Sequence, residues 1–319
     1  MKILITGAAG FIGMHLAQRL LAEGNEVVGI DNFNDYYSVA LKEARHARLL
    51  ATTGYEGHHC DLCDLPQLEA IFKAGRFDVV CNLAAQAGVR YSLKHPATYI
   101  KSNLEGFANV LECCRQYSVP KLVYASSSSV YGGNKKLQFS EEDPVDHPVS
   151  LYAATKKANE LMAHAYTHLY GIQSIGLRFF TVYGPWGRPD MAMWLFTKAM
   201  LAGRSINVFN YGNMMRDFTY IDDIIEGVAA SIESETLDPY EVLNIGNNRT
   251  EKLMRLIELI AGALGVEPKM VMLPMQPGDV PTTYADITRI KDKLGYEPLT
   301  TIETGIPEFI KWYKQYHGI

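Results

Sequence analysis

The sequence is poor in cysteine and has neither a long apolar run nor a basic block, and each absence excludes a class of protein. Its five cysteines are scattered among 319 residues, so a disulfide framework is not expected and a reducing cytoplasm fits. No apolar stretch approaches the roughly 18 residues that a membrane span requires. The formal charge is −5 and no more than two basic residues adjoin, so neither nucleic acid nor an anionic membrane is expected as a partner.

Cysteine and histidine also lack the spacing of a metal site. Cys60 and Cys63 are three positions apart, but no second pair follows them, so core packing at a strand end is the better interpretation. The nine histidines are scattered without ligand spacing. We assign none of them to metal binding or catalysis.

What is present is an alternation of short β-rich segments with longer helical patterns. We predict strands at 2–6, 26–30, 55–59, 79–83, 122–125 and 174–178. We predict helices at 11–21, 104–114, 150–170, 221–232, 252–264 and 302–316. This alternation indicates an α/β fold, a Rossmann-type doubly wound parallel sheet. Residues 1–180 should form the Rossmann domain, with later segments returning to it, and 181–319 mainly a smaller, mixed α/β domain for substrate.

A glycine-rich turn follows the first predicted strand. Gly7, Gly10 and Gly13 have a Gly-x-x-Gly-x-x-Gly spacing between a β-branched run and an amphipathic helix. Glycines there allow a tight turn, and the backbone can approach a pyrophosphate that faces the free N–H groups of the helix. The turn therefore predicts a dinucleotide site.

An acidic residue ends the second predicted strand. Asp31 follows Gly13 by 18 residues, close to the expected interval of about 20. Its carboxylate could accept hydrogen bonds from ribose hydroxyls and would repel a 2′-phosphate, while Asn32 and Phe33 offer no cation. We therefore expect NAD rather than NADP.

Tyr152 and Lys156 lie one turn apart on one face of a predicted helix. A free phenol has a pKa of about 10, and lowering it by three units takes about 4 kcal/mol of differential stabilisation. A nearby ammonium and a positive nicotinamide ring would both favour the phenolate. The pair therefore predicts a tyrosine base.

A serine run, Ser126 to Ser129, follows the strand predicted at 122–125. The carboxyl ends of parallel strands are where such sheets bind ligands. Hydroxyls there could bond a sugar oxygen as it changes between alcohol and ketone, although Ser129 is better interpreted as a polar turn.

Together these motifs resemble the extended short-chain dehydrogenases/reductases of the nucleotide-sugar epimerase and dehydratase group, nearly from end to end. The resemblance implies that Ser127, Tyr152 and Lys156 are catalytic. Dehydratases of that group carry Asp-Glu after the hydroxyl residue and decarboxylases usually a Glu, whereas this chain has Ser128 and Ser129. The resemblance thus favours epimerisation, in which one hydride is withdrawn and returned.

Segments 31–37, 86–92 and 177–191 resemble the UDP-glucuronate 4-epimerase branch of the group. Thr181 stands where UDP-glucose 4-epimerases typically have Asn, and those enzymes have no match to Arg188. The resemblance implies that both residues hold the carboxylate of a UDP-hexuronic acid, and an Arg fork suits a planar carboxylate. The alternative is that Arg188 is an ordinary surface arginine.

The resemblance also implies complete sets of ligand contacts. Cofactor contacts are expected at Gly7, Gly10, Phe11, Ile12, Gly13, Asp31, Asn32, Asp61, Leu62, Leu83, Ala84, Ala85, Asn103, Tyr152, Lys156 and Phe179. Substrate contacts are expected at Arg90, Ser127, Ser128, Thr181, Arg188, Asn207, Phe209, Arg216, Gln276 and Asp279. Within the second set, Asn207 and Phe209 match the uracil edge, Arg216 the pyrophosphate and Asp279 the ribose, while Gln276 stands where related epimerases often have Arg.

Three alternatives remain open: a UDP-glucose or UDP-N-acetylglucosamine 4-epimerase, a UDP-glucuronate decarboxylase, and an NAD-binding scaffold without catalysis. The resemblance further implies a homodimer, with helices near 97–117 and 151–170 forming a four-helix seam.

Overall fold

The computed structural model describes residues 1–276 and 278–319. Its strands are β1 (Lys2–Thr6), β2 (Glu26–Asp31), β3 (Tyr55–His59), β4 (Val79–Asn82), β5 (Lys121–Ser127), β6 (Gln173–Phe179), β7 (Thr181–Tyr183), β8 (Ile206–Val208), β9 (Met215–Arg216), β10 (Phe218–Tyr220), β11 (Tyr240–Ile245), β12 (Glu251–Lys252) and β13 (Met270–Met272). Its α-helices are α1 (Phe11–Ala22), α2 (Val39–Leu50), α3 (Leu65–Gly75), α4 (Val89–Lys94), α5 (Pro96–Tyr99), α6 (Gly106–Gln116), α7 (Leu151–Tyr170), α8 (Ala192–Leu201), α9 (Ile221–Glu233), α10 (Leu253–Leu264), α11 (Thr288–Leu294) and α12 (Ile302–His317). A π-helical segment, Ile100–Glu105, leads into α6, and 3₁₀ turns occur at Ser128–Tyr131 and Phe209–Gly212.

Seven parallel strands form the main sheet in the order β11-β6-β5-β4-β1-β2-β3. The chain reverses its direction of winding between β1 and β4, so their carboxyl ends open a crevice at the switch point. The predicted doubly wound parallel sheet is confirmed. Each predicted strand is present, with ends that differ from the prediction by no more than a few residues.

Helices cover both faces of the sheet, and successive residues of β1 enter different cores. Ile3 and Ile5 belong to the core that α1 and α9 cover, whereas Leu4 belongs to the core under α3 and α6. Strands buried on both faces read as continuous apolar runs, which is why β1, β2 and β4 were recognisable in the sequence.

The chain after β7 contributes both to the main sheet and to a second group of helices and short strands. β11 and α9 return to the main sheet and its helical layer, while α8, α10 and α12 pack together with the small β8–β13 ladder. Trp194 and Trp312 pack within this second group, with ring centroids 5.4 Å apart. Within the described ranges, no helix is long and apolar enough to cross a membrane.

Several elements were not predicted. α2, α3, α8, α11 and β11 were missed, and α6 begins two residues later than expected because Ile100–Glu105 is π-helical. α2 was concealed because its buried face carries Lys42 and Arg45 beside Leu41 and Leu49. Charges on the inner face weaken the apolar periodicity by which a helix is recognised.

Candidate active site

The glycine turn after β1 has space only for glycine. A Cβ on Gly13 would lie 2.2 Å from the Gly7 carbonyl oxygen, and one on Gly10 would lie 2.8 Å from the same atom. Gly7 has a φ of +74° and its Cβ would meet the backbone N of Ala84 at 2.9 Å, across the switch point. A side chain at any of these three positions would therefore displace the turn. The turn and the start of α1 line an open cleft, where the free N–H groups of a helix N-terminus can bind an anion.

This cleft, which we call the glycine-loop cleft, runs along the carboxyl ends of β1, β2, β4 and β5. The predicted cofactor residues that line it are Gly7, Gly10, Phe11, Ile12, Gly13, Asp31, Asn32, Asp61, Leu62, Leu83, Ala84, Ala85, Tyr152, Lys156 and Phe179. Residues from five separate strand ends and loops thus meet in one place, as expected for a switch-point site.

Asp31 holds the loops around this cleft. Its Oδ2 accepts a hydrogen bond from Ala9 N at 3.1 Å, and its Oδ1 accepts one from Phe33 N at 2.9 Å. Each carboxylate oxygen keeps a second lone pair that could accept a ribose hydroxyl. Asn32 donates to Asp61 at 2.9 Å, which joins two further residues of the predicted set.

The sequence analysis found no cation near Asp31, but the structure places Lys42 in the lining of the same cleft. The Lys42 ammonium donates to the Asn34 carbonyl at 2.7 Å and to its Oδ1 at 2.9 Å. Burial lowers the pKa of Lys42, and the Asp31 charge opposes that shift. Asn32 and Phe33 themselves offer no cation, and Lys42 comes from α2, a helix that local spacing did not reveal.

Asn103 differs from the expectation for a cofactor contact. It is buried and is not among the described residues that line the cleft. Its amide accepts from Gln86 N at 2.8 Å and donates to the Gln86 carbonyl and to Thr155 Oγ1, both at 3.1 Å. Asn103 therefore joins the π-helical segment to the wall of the cleft and to α7.

Ser127, Tyr152 and Lys156 converge where β5 ends and α7 begins. Ser150 caps α7 by accepting from Ala153 N at 3.1 Å, which sets the start of the helix that carries both other residues. Lys156 is buried, and its ammonium donates to the Ala125 carbonyl at 2.7 Å. The side chain of Lys156 thus bridges α7 and β5 beside Ser127.

Burial is the largest influence on the pKa values of Tyr152 and Lys156. Burial raises the pKa of Tyr152, while the Ser127 hydroxyl and the Arg188 charge lower it, and the net direction is upward. Burial also lowers the pKa of Lys156 to about 8. Desolvation dominates at Tyr152, and the Lys156 ammonium is bonded to the Ala125 carbonyl. The expectation that Lys156 and a bound nicotinamide ring together lower the pKa of Tyr152 stays a prediction.

A second cleft, the adjoining cleft, opens on the other side of Tyr152. The predicted substrate residues that line it are Arg90, Ser127, Ser128, Thr181, Arg188, Asn207, Phe209, Arg216 and Asp279. Ser127, Tyr152 and Arg188 line both clefts. The two clefts therefore meet at the residues predicted to be catalytic.

Arg188 is not an isolated surface arginine. Its Nε donates to Asp190 Oδ1 at 3.0 Å and its Nη2 to Asp190 Oδ2 at 2.6 Å, a two-point ion pair. Tyr36 donates to the same Oδ2 at 3.0 Å. Asp190 and Tyr36 were not singled out from the sequence, although both lie inside the segments that carried the resemblance.

The far end of the adjoining cleft combines charge and an aromatic ring. Arg90 forms an ion pair with Asp279 at 2.7 Å, and its guanidinium lies 5.0 Å from the centre of the Phe209 ring. Arg216 donates to the Pro281 carbonyl at 3.0 Å. These four predicted substrate residues are thus brought together from α4, β9 and two loops.

Gln276 differs from the expectation. It is not among the described residues that line the adjoining cleft, and its carbonyl accepts from Asp279 N at 3.2 Å. Pro277, which was part of the motif that identified Asp279, lies outside the described residues.

A buried ionic network behind Ser127 was not foreseen. Arg178 binds Glu160 through its Nε at 2.8 Å and its Nη2 at 2.9 Å, and Ser126 donates to Glu160 at 2.7 Å. Arg178 also donates to the Tyr131 hydroxyl at 3.0 Å. Glu160 lies one turn beyond Lys156 on α7, so i, i+4 spacing was the available signal.

A Rossmann sheet whose tyrosine–lysine helix faces a strand-end serine defines the class of the molecule, an extended short-chain dehydrogenase/reductase. The chain belongs to the NAD dependent epimerase/dehydratase family, whose sequence profile matches residues 3–246.

Three similar proteins place the chain within that family. Protein CapI of Staphylococcus aureus is 49% identical over 99% of each chain. UDP-glucuronate 4-epimerase 4 of Arabidopsis thaliana is 46% identical over 99% of this chain and 76% of its own. The crystal structure of UDP-glucuronic acid 4-epimerase from Bacillus cereus in complex with UDP-glucuronic acid and NAD is 36% identical, covers 99% of this chain and 100% of its own, and has a TM-score of 0.93.

Proposed function

We propose that this protein is a UDP-glucuronate 4-epimerase that interconverts UDP-glucuronate and UDP-galacturonate with bound NAD. The observation that carries the proposal is that Ser127, Tyr152 and Arg188 line both clefts at their junction. A hydroxyl base and a carboxylate-binding cation thus face the same small volume. The similarity to the Arabidopsis and Bacillus proteins supports this assignment.

NAD suits the glycine-loop cleft. The glycine turn leaves no room for a Cβ and presents backbone N–H groups at the start of α1, as a pyrophosphate requires. Asp31 keeps lone pairs for the adenosine ribose, and Lys156 would orient the nicotinamide ribose. When bound, NAD supplies the hydride acceptor and donor for C4 of the sugar.

Tyr152 acts as the base that removes the proton of the C4 hydroxyl and returns a proton at the end of the cycle. Ser127 lines both clefts beside Tyr152 and would share that oxygen, and its hydroxyl lowers the Tyr152 pKa. Lys156, fixed by Ala125, places a positive charge beneath the pair. Ser128 lines the adjoining cleft with Ser127 and supplies a further hydroxyl to the sugar.

Thr181 and Arg188 hold the sugar carboxylate. A uronate oxidised at C4 is a β-keto acid, which loses carbon dioxide when its C5–C6 bond stands perpendicular to the ketone plane. Several fixed donors keep the group near that plane while the ketone turns to present its other face, which one flexible lysine would do poorly. Ser128 and Ser129 also provide no acid for elimination or decarboxylation.

At the nucleotide end, Asn207 and Phe209 contact the uracil and Arg216 the pyrophosphate. Asp279 accepts the ribose hydroxyls, with Arg90 as its charge partner at 2.7 Å. Gln276 is proposed to contact the nucleotide from the turn in which its carbonyl accepts from Asp279 N at 3.2 Å.

The test is incubation of the protein with UDP-glucuronate, UDP-glucose and UDP-N-acetylglucosamine in turn, with the C4 configuration read by NMR. We expect inversion of the uronate, and loss of that activity in Arg188→Ala. Inversion of the neutral sugars in preference to the uronate would establish one of the other 4-epimerases instead. Net carbon dioxide release would indicate a decarboxylase, and no turnover of any sugar would indicate a scaffold.

The protein is further proposed to be a homodimer through α6 and α7. Leu161 and Leu169 on α7 are 61% and 64% exposed, and Ile100 before α6 is 47% exposed. Residues 154, 158, 161, 165 and 169 recur at helical spacing, which gives α7 a stripe of Ala and Leu on its partly or fully exposed side. Pairing of these helices with those of a second copy would bury the stripe.

A reducing compartment such as the cytoplasm is the proposed location. All five cysteines are free, and all but Cys63 are buried. Burial raises the pKa of Cys60 to about 11, so this thiol stays protonated and unreactive.

A further inference from the structure

We propose that Asp190, held by Tyr36, is a positioning residue that orients the Arg188 guanidinium for the carboxylate of the uronate substrate. The inference deepens the proposed function and rests on it, because it concerns how the same carboxylate is gripped. Neither Asp190 nor Tyr36 contacts the reacting C4 in this account.

Asp190 occupies one edge of the Arg188 guanidinium and leaves the others available. The two contacts, at 3.0 and 2.6 Å, use the Nε–H and one N–H of Nη2. A guanidinium has five N–H donors in a rigid plane, so three remain, two of them on Nη1. Arg188 lines both clefts, so a second carboxylate can be bound while Asp190 stays in place.

Tyr36 fixes Asp190 in turn. Its hydroxyl donates to Asp190 Oδ2 at 3.0 Å, so this oxygen accepts two hydrogen bonds. The Tyr36 ring packs against the Tyr91 ring, with centroids 4.7 Å apart, and its hydroxyl lies where a Cβ on Gly88 would be only 2.5 Å away. The phenol therefore has little freedom to release the carboxylate.

Asp190 and Arg188 also keep each other ionised. Burial would raise the pKa of Asp190, but the Arg188 charge together with the hydrogen bonds from Arg188 and Tyr36 outweighs it, and the net direction is downward. Burial would lower the pKa of Arg188, but the charge and hydrogen bonds of Asp190, together with Tyr36 and Tyr37, reverse that direction. Both groups stay ionised, so the guanidinium always has a fixed internal anion that sets its plane.

The backbone of the Arg188 loop is anchored independently by the cofactor side of the molecule. Arg45, fully buried on α2, donates to the Trp186 carbonyl at 2.5 Å and the Gly187 carbonyl at 3.1 Å, and also to the Ala9 carbonyl in the glycine turn at 3.2 Å. His15 Nε2 lies 3.0 Å from the Pro185 carbonyl. Because the Arg188 backbone is held in this way, the Asp190 contact decides the orientation of its side chain.

Orientation matters because the 4-keto uronate can fragment. If the guanidinium turns, the C5–C6 bond can leave the ketone plane and break; its electron pair passes to C5, forming an enolate with the C4 ketone, and carbon dioxide departs. The enolate then takes a proton at C5. A misplaced Arg188 should therefore weaken uronate binding and increase the carbon dioxide released per turnover.

A competing arrangement predicts the opposite change in the affinity for the uronate. If the uronate carboxylate displaced Asp190 from the guanidinium, Asp190 would be a competitor, and its removal would tighten uronate binding. The charge of Asp190, taken alone, has the same consequence, because it partly neutralises Arg188.

The experiment compares Asp190→Asn and Tyr36→Phe with wild type. Asp292→Asn and Tyr211→Phe are matched controls at exposed positions. For each protein we would measure KM and kcat for C4 inversion of UDP-glucuronate, carbon dioxide released from uronate labelled at C6, and binding of UDP, UDP-glucose and UDP-glucuronate by calorimetry.

For Asp190→Asn, KM for the uronate should rise about tenfold or more, with a smaller change in kcat. Carbon dioxide per turnover should also rise. Tyr36→Phe should move both quantities in the same direction by less. Affinities for UDP and UDP-glucose should be unchanged, which shows that the fold and the nucleotide end are intact.

A lower KM in Asp190→Asn, or a KM and carbon dioxide yield equal to wild type, would overturn the positioning role while leaving the proposed function in place. A wild type that neither inverts UDP-glucuronate nor binds it more tightly than UDP-glucose would overturn both. Equal losses of UDP and UDP-glucuronate affinity would assign Asp190 to general folding and so overturn the proposal.

Discussion

At the scale of single residues, the titratable groups of the site are buried, and few nearby charges offset the effect of burial on their pKa values. Burial raises the pKa of Tyr152 and lowers that of Lys156 to about 8, so each is driven toward its neutral form. Within the chain, Ser127 and Arg188 are the groups that oppose the shift at Tyr152. In the proposed function Arg188 would therefore favour the phenolate of Tyr152 as well as bind the carboxylate.

Replacement of Tyr152 by Phe should abolish epimerisation but preserve NAD binding. Loss of a positioned base typically costs about 10²- to 10⁴-fold in rate, while the ring that lines both clefts is retained. Turnover would be measured by NMR and NAD binding by calorimetry on the same preparation. Near-normal turnover in Tyr152→Phe would refute its assignment as the base.

Replacement of Gly13 by Ala should reduce NAD affinity, because the new Cβ would lie 2.2 Å from the Gly7 carbonyl oxygen and the turn would have to move. Overpacking of this kind costs about 1–3 kcal/mol. Gly262→Ala is the control: that glycine is inside α10 with nothing within 4 Å of its Cβ position. The control should be neutral or slightly stabilising, and equal effects of both changes would contradict the prediction.

At the scale of elements, α7 carries the two proposed catalytic residues Tyr152 and Lys156, and one turn further along it carries a buried carboxylate that binds β6. Tyr152, Lys156 and Glu160 are spaced four residues apart, and Glu160 binds Arg178 on β6 through two contacts. Removing one partner of such a buried pair typically costs about 3–5 kcal/mol, because the other charge is left unpaired. Ser126 on β5, Glu160 in the middle of α7 and Arg178 on β6 are thus joined in one buried network.

β10 begins next to another buried carboxylate, Asp217, which should make stability depend on pH. It accepts from Asn247 N at 2.7 Å and Ala285 N at 3.1 Å, yet burial raises its pKa from 3.8 to about 6. Between those values the folded state binds more protons than the unfolded state, so this group's contribution to the free energy of unfolding falls as pH rises. About two units correspond to about 3 kcal/mol.

The prediction concerns the difference between wild type and Asp217→Asn. From pH 4 to pH 6 the free energy of unfolding of wild type, measured with urea, should decline relative to that of the variant. The variant has its own constant penalty, since its amide N–H₂ would face one of the two backbone donors. Asp292→Asn should show no relative change, and a flat difference for Asp217→Asn would show that Asp217 stays ionised throughout.

At the scale of the whole molecule, one hydrophobic core joins a face of the main sheet to the second group of helices, and the stripe on α7 is an apolar surface outside it. The stripe on α7 lies on the side of the helix away from the sheet, as the exposure of Leu161 and Leu169 indicates. Exposed leucines in register on a long helix are characteristic of an interface.

Leu161→Glu should convert a dimer into a monomer. Wild type should sediment at twice the 35.6 kDa chain mass and the variant at the chain mass, because a carboxylate at the seam cannot be desolvated without a partner. Leu299→Glu is the matched control, since Leu299 is 77% exposed in a loop remote in sequence from both helices. A wild type that sediments as a monomer would refute the dimer.

Local spacing in the sequence was sufficient for the parallel sheet, the glycine turn, Asp31 at the end of β2 and the Tyr152–Lys156 pair, because each depends on neighbours within one turn or one strand. Resemblance added the substrate residues, and most of them line the adjoining cleft. Gln276 was the exception among them and Asn103 among the cofactor residues, since which way a side chain or loop turns depends on packing that no spacing encodes.

The residues that organise the site became visible only when distant segments were brought together. Arg45 was hidden in an unrecognised helix, yet it joins the glycine turn to the Arg188 loop across 142 residues of sequence. Asp190 is hydrogen-bonded by Tyr36, 154 residues away, and the positioning role proposed for it depends on that contact. Buried charges of this kind are stable only when their partners come from elsewhere in the fold, so their positions follow from tertiary contacts rather than from any periodic pattern.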